Sequence, residues 1–205
     1  MAVADVSRHP AGRIGPNAIT RTVEALTSRE GAQTARRIFQ TAGLERYLAQ
    51  PPTEMVDELE VARLHQILHD DLGSERSRAI GRRAGQLTAE YLLAHRIPRP
   101  AQTLLRCLPS ALSSRVLARA IAKNAWTFVG TGNFAAKHGR RTVFTITDCP
   151  MCRGQRATAP YCDFYAATFE RLYCRLVRAS ARVTEESCQA TGARECSFRI
   201  DWQET

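Results

Sequence analysis

The sequence predicts an α+β fold in which N-terminal helices pack with an antiparallel four-stranded sheet. Two changes of pattern along the chain support this class. Apolar residues at helical spacing, separated by proline and glycine, continue to about residue 124. Beyond that point Thr, Val, Phe and Gly alternate in part, and one long helical pattern interrupts them, which predicts the order strand-strand-helix-strand-strand.

The same change of pattern gives the domain organisation. We expect a flexible N-terminus over residues 1–15, a helical part over 16–124 and an α+β part over 125–205, together forming one continuous domain. A chain of 205 residues is long enough to bury a core without metal or disulfide staples. Any metal site would therefore add to a fold that already has a core.

Helices are predicted in the helical part over residues 16–26, 30–41, 53–73, 74–95 and 110–124. Thr53 can cap the third of these segments, and Gly73 ends it. Leu59 in the third segment, and Leu112 and Val116 in the last, are expected on buried faces because they follow the helical spacing of their neighbours.

The α+β part begins with a predicted hairpin in NAWTFVGTGNFAAKHGRRTVFTITDC, whose two strands join near His138 and Gly139. A helix follows from about residue 159 to about residue 180. The last two strands lie in ARVTEESC and ARECSFRID, and the polar segment QATG joins them as a turn.

Composition indicates a protein of the cytoplasm. The first residues include an early acid, a proline and several glycines but no apolar core of a secretory signal, and no segment predicts a transmembrane helix. Because thiols stay reduced in the cytosol, clustered cysteines among the seven in the chain favour metal ligation or redox chemistry over disulfides.

The formal net charge of +9 comes almost entirely from arginine, with Lys123 and Lys137 as the lysines. Arginine binds carboxylates and phosphates through a planar fork, so the bias suits anionic ligands, although a solvated basic surface explains it equally. No recognition motif accompanies the arginines, and nucleic acid is therefore not expected as a partner.

Two cysteines flank the turn in TEESCQATGARECSF, and this raises the question of a metal site. Cys188 and Cys196 stand on either side of the turn, which brings their sulfurs together. An ion needs further ligands, for which the candidates are Cys162, Glu185, Cys149 and Cys152. A redox dithiol remains an alternative for the CxxC pair of Cys149 and Cys152.

The other cysteines and two histidines carry blander interpretations. Cys107 and Cys174 stand alone in apolar helical patterns and are expected to be small buried hydrophobes. His65 and His69 are one helical turn apart and could share a metal, but the aspartates that follow favour a solvated face.

The spacing of the ligand candidates resembles a known signature. Cys162, 22 residues, Glu185, two residues, Cys188, seven residues and then Cys196 is similar to the zinc-binding signature of the 4-vinyl-reductase-like small-molecule-binding domain family. The DCPMCRG stretch resembles the branch of that family found in bacteriochlorophyll biosynthesis. The resemblance covers residues 125–202 strongly and the helical part only by general pattern.

The resemblance implies a fold shared with heme-based nitric-oxide sensors and vesicle-tethering subunits, and a homodimer formed through the N-terminal helices. It also implies a structural Zn²⁺ ion held by Cys162, Glu185, Cys188 and Cys196. Cys149 and Cys152 are additional thiols in this chain, so one of them is an alternate for Glu185 as the fourth ligand.

The function implied by the resemblance is binding of a tetrapyrrole intermediate, a porphyrin or protochlorophyllide, as a carrier or assembly factor that supports divinyl reduction. Enzymes of the bacteriochlorophyll pathway would be its partners. The alternative is the vinyl reductase itself, which would need an external reductant because no strand is followed by GxGxxG and no flavin motif is evident.

A tetrapyrrole site would be an apolar slot with a few polar anchors. His138 is a candidate axial ligand to magnesium, and Arg140 or Arg141 a candidate partner of a propionate. The expected ligand-binding residues are Trp126, Phe128, Phe134, His138, Arg140, Phe144, Tyr165 and Phe169.

Overall fold

The computed structural model describes residues 12–138 and 141–202. Its helical part contains α1 (Asn17–Thr41), α2 (Arg46–Ala49), α3 (Glu58–His95), α4 (Arg99–Cys107) and α5 (Ser110–Lys123). Two short strands, β1 (Arg13–Ile14) and β2 (Val56–Asp57), form an antiparallel pair in front of α3. Ile14 is buried, so residues that the sequence assigns to the N-terminal extension contribute to the core.

Two glycines divide the long helices at the places where the sequence predicts breaks. Gly31 in α1 and Gly73 in α3 have φ values of 85° and 77°, a backbone conformation that glycine adopts without steric penalty. The start of α3 differs from the prediction, because the pairing of β1 with β2 keeps residues 56–57 extended. The helix begins at Glu58 instead of near Thr53, and the Asp57 side chain accepts the cap hydrogen bond from Leu59 N at 2.8 Å.

The C-terminal part has the predicted order of elements. It contains β3 (Asn133–His138), β4 (Thr142–Thr147), α6 (Asp163–Leu176), β5 (Arg182–Ser187) and β6 (Cys196–Asp201). The four strands form one antiparallel sheet in the order β3-β4-β6-β5. The predicted α+β class, with helices packed on a four-stranded antiparallel sheet, is confirmed.

Helix α6 lies against α3, and glycine permits the close approach of the two helices. A Cβ atom at Gly85 would overlap the carbonyl oxygen of Phe164, and the Thr168 hydroxyl donates to the Gly85 carbonyl at 3.1 Å. Near the start of α6, Arg78 and Arg82 of α3 bind the buried Asp163 carboxylate at 2.7 and 2.9 Å. These contacts fix where α6 begins.

Several residues expected in the core lie on the surface. Leu59, Leu112 and Val116 are exposed, and so is Cys107 at the end of α4. In α5 the reason is that the helix buries a face containing Ser113 and Ser114, whose hydroxyls have partners. Ser113 donates to the Leu176 carbonyl at 3.0 Å, and Ser114 lies 2.9 Å from the hydroxyl of Thr142.

A buried carboxylate that the sequence does not single out joins the helical part to the loops around the sheet. The Glu58 side chain is 3% exposed, forms an ion pair with Arg153 and accepts hydrogen bonds from the Thr131 amide and hydroxyl at 2.9 and 2.6 Å. Burial works against ionisation, yet these hydrogen bonds and the guanidinium lower the pKa of Glu58 below its usual value.

Candidate metal centre and aromatic cluster

Five buried cysteines converge at one corner of the sheet, and we call them with Glu185 the thiol cluster. Three come from the ends of elements: Cys162 precedes α6, Cys188 follows β5 and Cys196 begins β6. Cys149 and Cys152 come from the turn after β4. All five thiols are free and buried, which brings together every ligand candidate predicted from the sequence.

The distances between the sulfur atoms match those around a tetrahedral ion. Cys162 Sγ lies 3.6 Å from Cys149 Sγ, 3.9 Å from Cys188 Sγ and 3.8 Å from Cys196 Sγ. Two thiolates on a tetrahedral ion with metal–sulfur distances of about 2.3 Å are about 3.8 Å apart. The cluster therefore has the geometry to hold a metal ion.

Two sets of four ligand atoms lie within 4.8 Å of one another in the described part of the chain. The first set contains Cys149, Cys152, Cys162 and Cys196. The second set contains Cys162, Glu185, Cys188 and Cys196, the same four residues as the signature found in the sequence. Both the signature and its predicted alternates are thus possible ligand sets.

Glu185 presents one free carboxylate oxygen inside the cluster. Its Oε2 accepts a hydrogen bond from the Cys162 amide at 2.8 Å, whereas its Oε1 is buried and has no hydrogen-bond partner among the described residues. Burial and the neighbouring Cys188 raise the pKa of Glu185 to about 9. An unpartnered buried carboxylate oxygen is costly, and a cation beside it would remove that cost.

The thiols do not share one ionisation state. Burial raises the pKa values of Cys149 and Cys162. Hydrogen bonds from neighbouring thiols lower the pKa values of Cys188 and Cys196, the first by way of Cys152 and the second by way of Cys149. Some of these sulfurs therefore ionise readily while others stay protonated until a cation compensates their charge.

The backbone around the cluster holds its sulfurs in place. The Gln189 amide donates to Cys196 Sγ at 3.4 Å, and the Gln189 side-chain oxygen accepts from the Cys149 amide at 2.8 Å. Arg153 follows Cys152 and donates to the Asp148 carbonyl at 2.7 Å as well as pairing with Glu58. The loop that carries the CxxC pair is therefore tied both to the last turn and to the helical part.

His65 lies in α3 beside a cavity of about 10 Å³ that Cys162 and Tyr161 also line. It is buried, and burial lowers its pKa to about 4, so the expectation that it lies on a solvated face is wrong. The Tyr161 hydroxyl donates to the His65 carbonyl at 2.6 Å, whereas the ring of His69 contacts Tyr161 at 5.3 Å between centroids. The tyrosine that precedes Cys162 thus covers the histidine pair.

The aromatic residues predicted to line a slot instead pack against one another. Phe134 of β3 contacts Phe144 of β4 at 5.1 Å between ring centroids, and Phe144 contacts Phe169 of α6 at 5.0 Å. The rings of this aromatic cluster belong to Phe128, Phe134, Phe144, Tyr165, Phe169 and Phe198. Phe144, Tyr165 and Phe169 are fully enclosed, so their rings fill the space between α6 and the sheet.

The other predicted ligand contacts lie apart from this cluster. Trp126 is 63% exposed, and His138 is exposed at the end of β3. Arg141 forms an ion pair with Asp201 at 3.2 Å. Arg140 lies outside the described residues. The structure therefore brings the predicted aromatic residues together without Trp126 or His138.

A surface opening that the sequence does not indicate lies between α3, α4 and α6. Its volume is about 460 Å³, and it is lined by Glu90, Leu93, Ala94, Arg99, Gln102, Arg171 and Arg175. Charged and amide groups dominate this lining, and Arg171 is already paired with Glu90 at 2.8 Å. None of the described helices is long and apolar enough to cross a membrane.

Comparison with known families identifies the C-terminal segment. Residues 142–201 match the 4-vinyl-reductase domain, and this segment contains all six members of the thiol cluster. The chain is also 43% identical over 190 residues to the bacteriochlorophyll synthase 23 kDa chain of Cereibacter sphaeroides, covering 93% of this chain and 91% of that one. The chain belongs to this family. The resemblance inferred from the sequence is thus confirmed.

Further relatives agree with this assignment and with the fold. The bacteriochlorophyll synthase 23 kDa chain of Rhodobacter capsulatus is 39% identical and covers 91% of this chain and 85% of its own length. Among solved structures, an Fe(II) unliganded H-NOX protein from K. algicida superposes with a TM-score of 0.63 at 10% identity, over 94% of this chain and 98% of that one. The phenol-responsive sensory domain of the activator PoxR superposes with a TM-score of 0.52 at 16% identity, over 72% and 76%. At these identities the structures show a shared fold.

Proposed function

We propose that this protein acts in bacteriochlorophyll synthesis by binding a tetrapyrrole intermediate, a porphyrin or protochlorophyllide, as a carrier or assembly factor that supports divinyl reduction. The observation that carries the proposal is the 43% identity to a bacteriochlorophyll synthase subunit over 93% of this chain. A relationship that extends over both the helical part and the sheet favours a shared role of the whole chain. Enzymes of the pathway would receive the bound intermediate.

The surface that suits such a ligand lies where α5 faces the end of β3. Partial burial and the nearby Arg115 and Arg119 lower the pKa of His138, so its imidazole is neutral at pH 7 and offers a nitrogen to magnesium. Both arginines are exposed and one turn apart on α5, where they can bind carboxylates. Leu112 and Val116 are exposed on the same helix and provide apolar contact for a macrocycle.

The aromatic cluster would support this surface from behind. Phe134 and His138 are four residues apart on β3 and therefore lie on the same face of the strand. Phe128 and Phe134 are half-buried, so they form the side of the cluster that meets solvent, whereas Phe144, Tyr165 and Phe169 are enclosed. We assign ligand contact to the half-buried rings and packing to the enclosed ones.

The thiol cluster would hold structural zinc. Soft thiolate ligands with one carboxylate suit Zn²⁺, and the sulfur spacing fits tetrahedral coordination. Bound there, the ion would join the start of α6 to the turn between β5 and β6 and to the CxxC loop. Zinc would stabilise the corner of the domain and would not take part in a reaction.

Absorption spectroscopy tests the proposal directly. Purified protein is titrated with divinyl and monovinyl protochlorophyllide, with and without NADPH, and we expect a shifted spectrum, a Kd of about 1 μM or less and no vinyl reduction. Conversion of more than one equivalent of pigment by the protein alone would instead support the vinyl reductase. Absence of any spectral shift or tryptophan quenching up to the solubility limit would refute binding.

Matched variants locate the site. His138→Ala should reduce the spectral shift, and the double change of Arg115 and Arg119 to glutamate should weaken affinity at least tenfold. Arg175→Glu alters the separate opening beside α4 and serves as the control, which should bind as the wild type does. Loss of binding only in Arg175→Glu would move the site to that opening.

Self-association through the N-terminal helices is a further part of the proposal. The helical part would provide the contact between two copies, which leaves the thiol cluster and the β3 surface of each copy accessible. Light scattering over a wide concentration range should give the mass of a dimer. A monomeric mass throughout would remove this part and leave ligand binding untouched.

A further inference from the structure

The thiol cluster contains more ligands than one tetrahedral ion can use. Five buried thiols and the Glu185 carboxylate make six candidate ligands, whereas a structural zinc ion takes four. With a single ion, two of the six would remain packed against the metal without binding it. This surplus needs an account.

The two four-ligand sets overlap in a specific way. Cys162 and Cys196 belong to both sets, and their sulfurs are 3.8 Å apart. Cys149 and Cys152 belong only to the first set, and Glu185 and Cys188 only to the second. Each set thus has a shared pair and a private pair.

The private ligands adjoin the shared sulfurs. In the first set, Cys149 Sγ lies 3.6 Å from Cys162 Sγ, and Cys152 Sγ lies 3.4 Å from Cys196 Sγ. In the second set, Cys188 Sγ lies 3.9 Å from both shared sulfurs. The free Oε1 of Glu185 belongs to the same second set and has no other partner among the described residues.

We propose that the thiol cluster binds two zinc-class divalent ions, which share the thiolates of Cys162 and Cys196 as bridges. Cys149 and Cys152 complete the tetrahedron of the first ion, and Glu185 and Cys188 complete that of the second. A thiolate sulfur has enough lone pairs to bind two cations at once. The inference deepens the metal centre of the proposed function and rests on it.

Charge supports two ions over one. Five thiolates and one carboxylate carry six negative charges, and two divalent ions reduce the total to −2. One ion with four anionic ligands gives the same total but leaves two protonated groups buried beside it. The second ion therefore uses every ligand at no increase in buried charge, which is the costly quantity in a protein interior.

The donor set also favours this metal class over an iron–sulfur cluster. In a two-iron cluster, four cysteines bind from the outside and inorganic sulfide occupies the centre. Here the central positions are taken by the protein's own sulfurs, those of Cys162 and Cys196. Thiolate-rich sites without inorganic sulfide suit zinc and its heavier relative cadmium.

Metal counting and cadmium NMR test the inference on the full chain. Elemental analysis of protein purified without chelator should give about two zinc ions per chain, and the cadmium-substituted protein should show two resonances coupled through the bridging sulfurs. One ion per chain, or two uncoupled resonances, would overturn the bridged pair. One ion would leave a structural zinc centre intact, and no ion would refute that centre as well, while the pigment titration tests ligand binding independently.

A double variant separates the two ions. Cys149→Ser with Cys152→Ser should lower the content to about one ion per chain and leave a single cadmium resonance, with the circular dichroism of the wild type. Cys174→Ser removes a half-buried thiol outside the cluster and should retain both ions. A double variant that still binds two ions would overturn the assignment of the first set.

Discussion

The thiol cluster and the aromatic cluster lie side by side between α6 and the sheet, yet they differ in what their atoms leave available. Cys196 and Phe198 are two residues apart on β6, and Cys162 lies three residues before Tyr165 of α6. In the thiol cluster, lone pairs point at one another across 3.4–3.9 Å and require a cation. In the aromatic cluster, rings contact rings and already satisfy one another.

The difference teaches that convergence of predicted site residues has two meanings. Ligand atoms that converge without a partner indicate a missing ion, because a buried unpaired polar group is costly. Apolar groups that converge without a void indicate a finished core, because close packing is itself the stable end state. Variants in the two clusters should therefore respond differently to added metal and to added pigment.

The largest expected effect is the loss of a shared ligand. Cys196→Ala should abolish stoichiometric metal binding and lower the free energy of unfolding by several kcal/mol, less than the about 10–16 kcal/mol of zinc in isolated peptides, because the core remains. Elemental analysis and denaturant unfolding measure the two quantities. Cys107→Ala is the control, since that thiol is exposed, and it should change neither. Full metal content in Cys196→Ala would show that this residue is not a ligand.

The aromatic cluster gives the next largest effect. Phe144→Ala removes a fully buried ring and should destabilise the protein by about 3–5 kcal/mol without changing metal content. Chemical denaturation with metal analysis checks both points. If the cluster were an open ligand slot instead of a core, the variant would keep its stability and lose pigment affinity, which would break the comparison.

A smaller effect is expected where the helical part meets α6. Gly85→Ala places a methyl group against the Phe164 backbone and should cost about 1–3 kcal/mol, since backbone cannot rotate away. Thermal unfolding measures the loss. Gly81→Ala is the matched control one turn earlier, because a Cβ there meets Phe164 N at an ordinary 3.6 Å. Equal stability of the two variants would mean that the helices separate freely, and both clusters would then be less rigid than described.

The smallest effect is a pH dependence that comes from one carboxyl group. The folded-state pKa of Glu58 is below its unfolded value of 4.5, so its contribution to stability is present above pH 4.5 and is lost as the pH falls through the folded pKa. Unfolding free energies of wild type and Glu58→Gln, compared from pH 6 downward, should converge in that window. Parallel curves would show that the link between Glu58 and Arg153 of the CxxC loop does not titrate as described.

The sequence identifies the ligands of the candidate metal centre better than the ligand surface, and the reason is local. Cys188 and Cys196 are joined by a short turn, so their spacing alone brings their sulfurs together. The partners of Trp126 and His138 come from segments distant in sequence, and no local pattern says which rings will cover one another. The pattern that marked Phe144 as a pocket residue marks a core residue equally well.

By itself the sequence determined the order and type of the elements, the breaks at Gly31 and Gly73 and the members of the thiol cluster, because spacing and backbone preference act over a few residues. Tertiary structure alone decided that Glu58 is buried against Arg153, that α5 buries serines instead of Leu112, and that the aromatic rings close their own slot. Each of these depends on which distant segment covers a given face. That choice is made by packing the whole chain at once, since covering one face leaves another exposed.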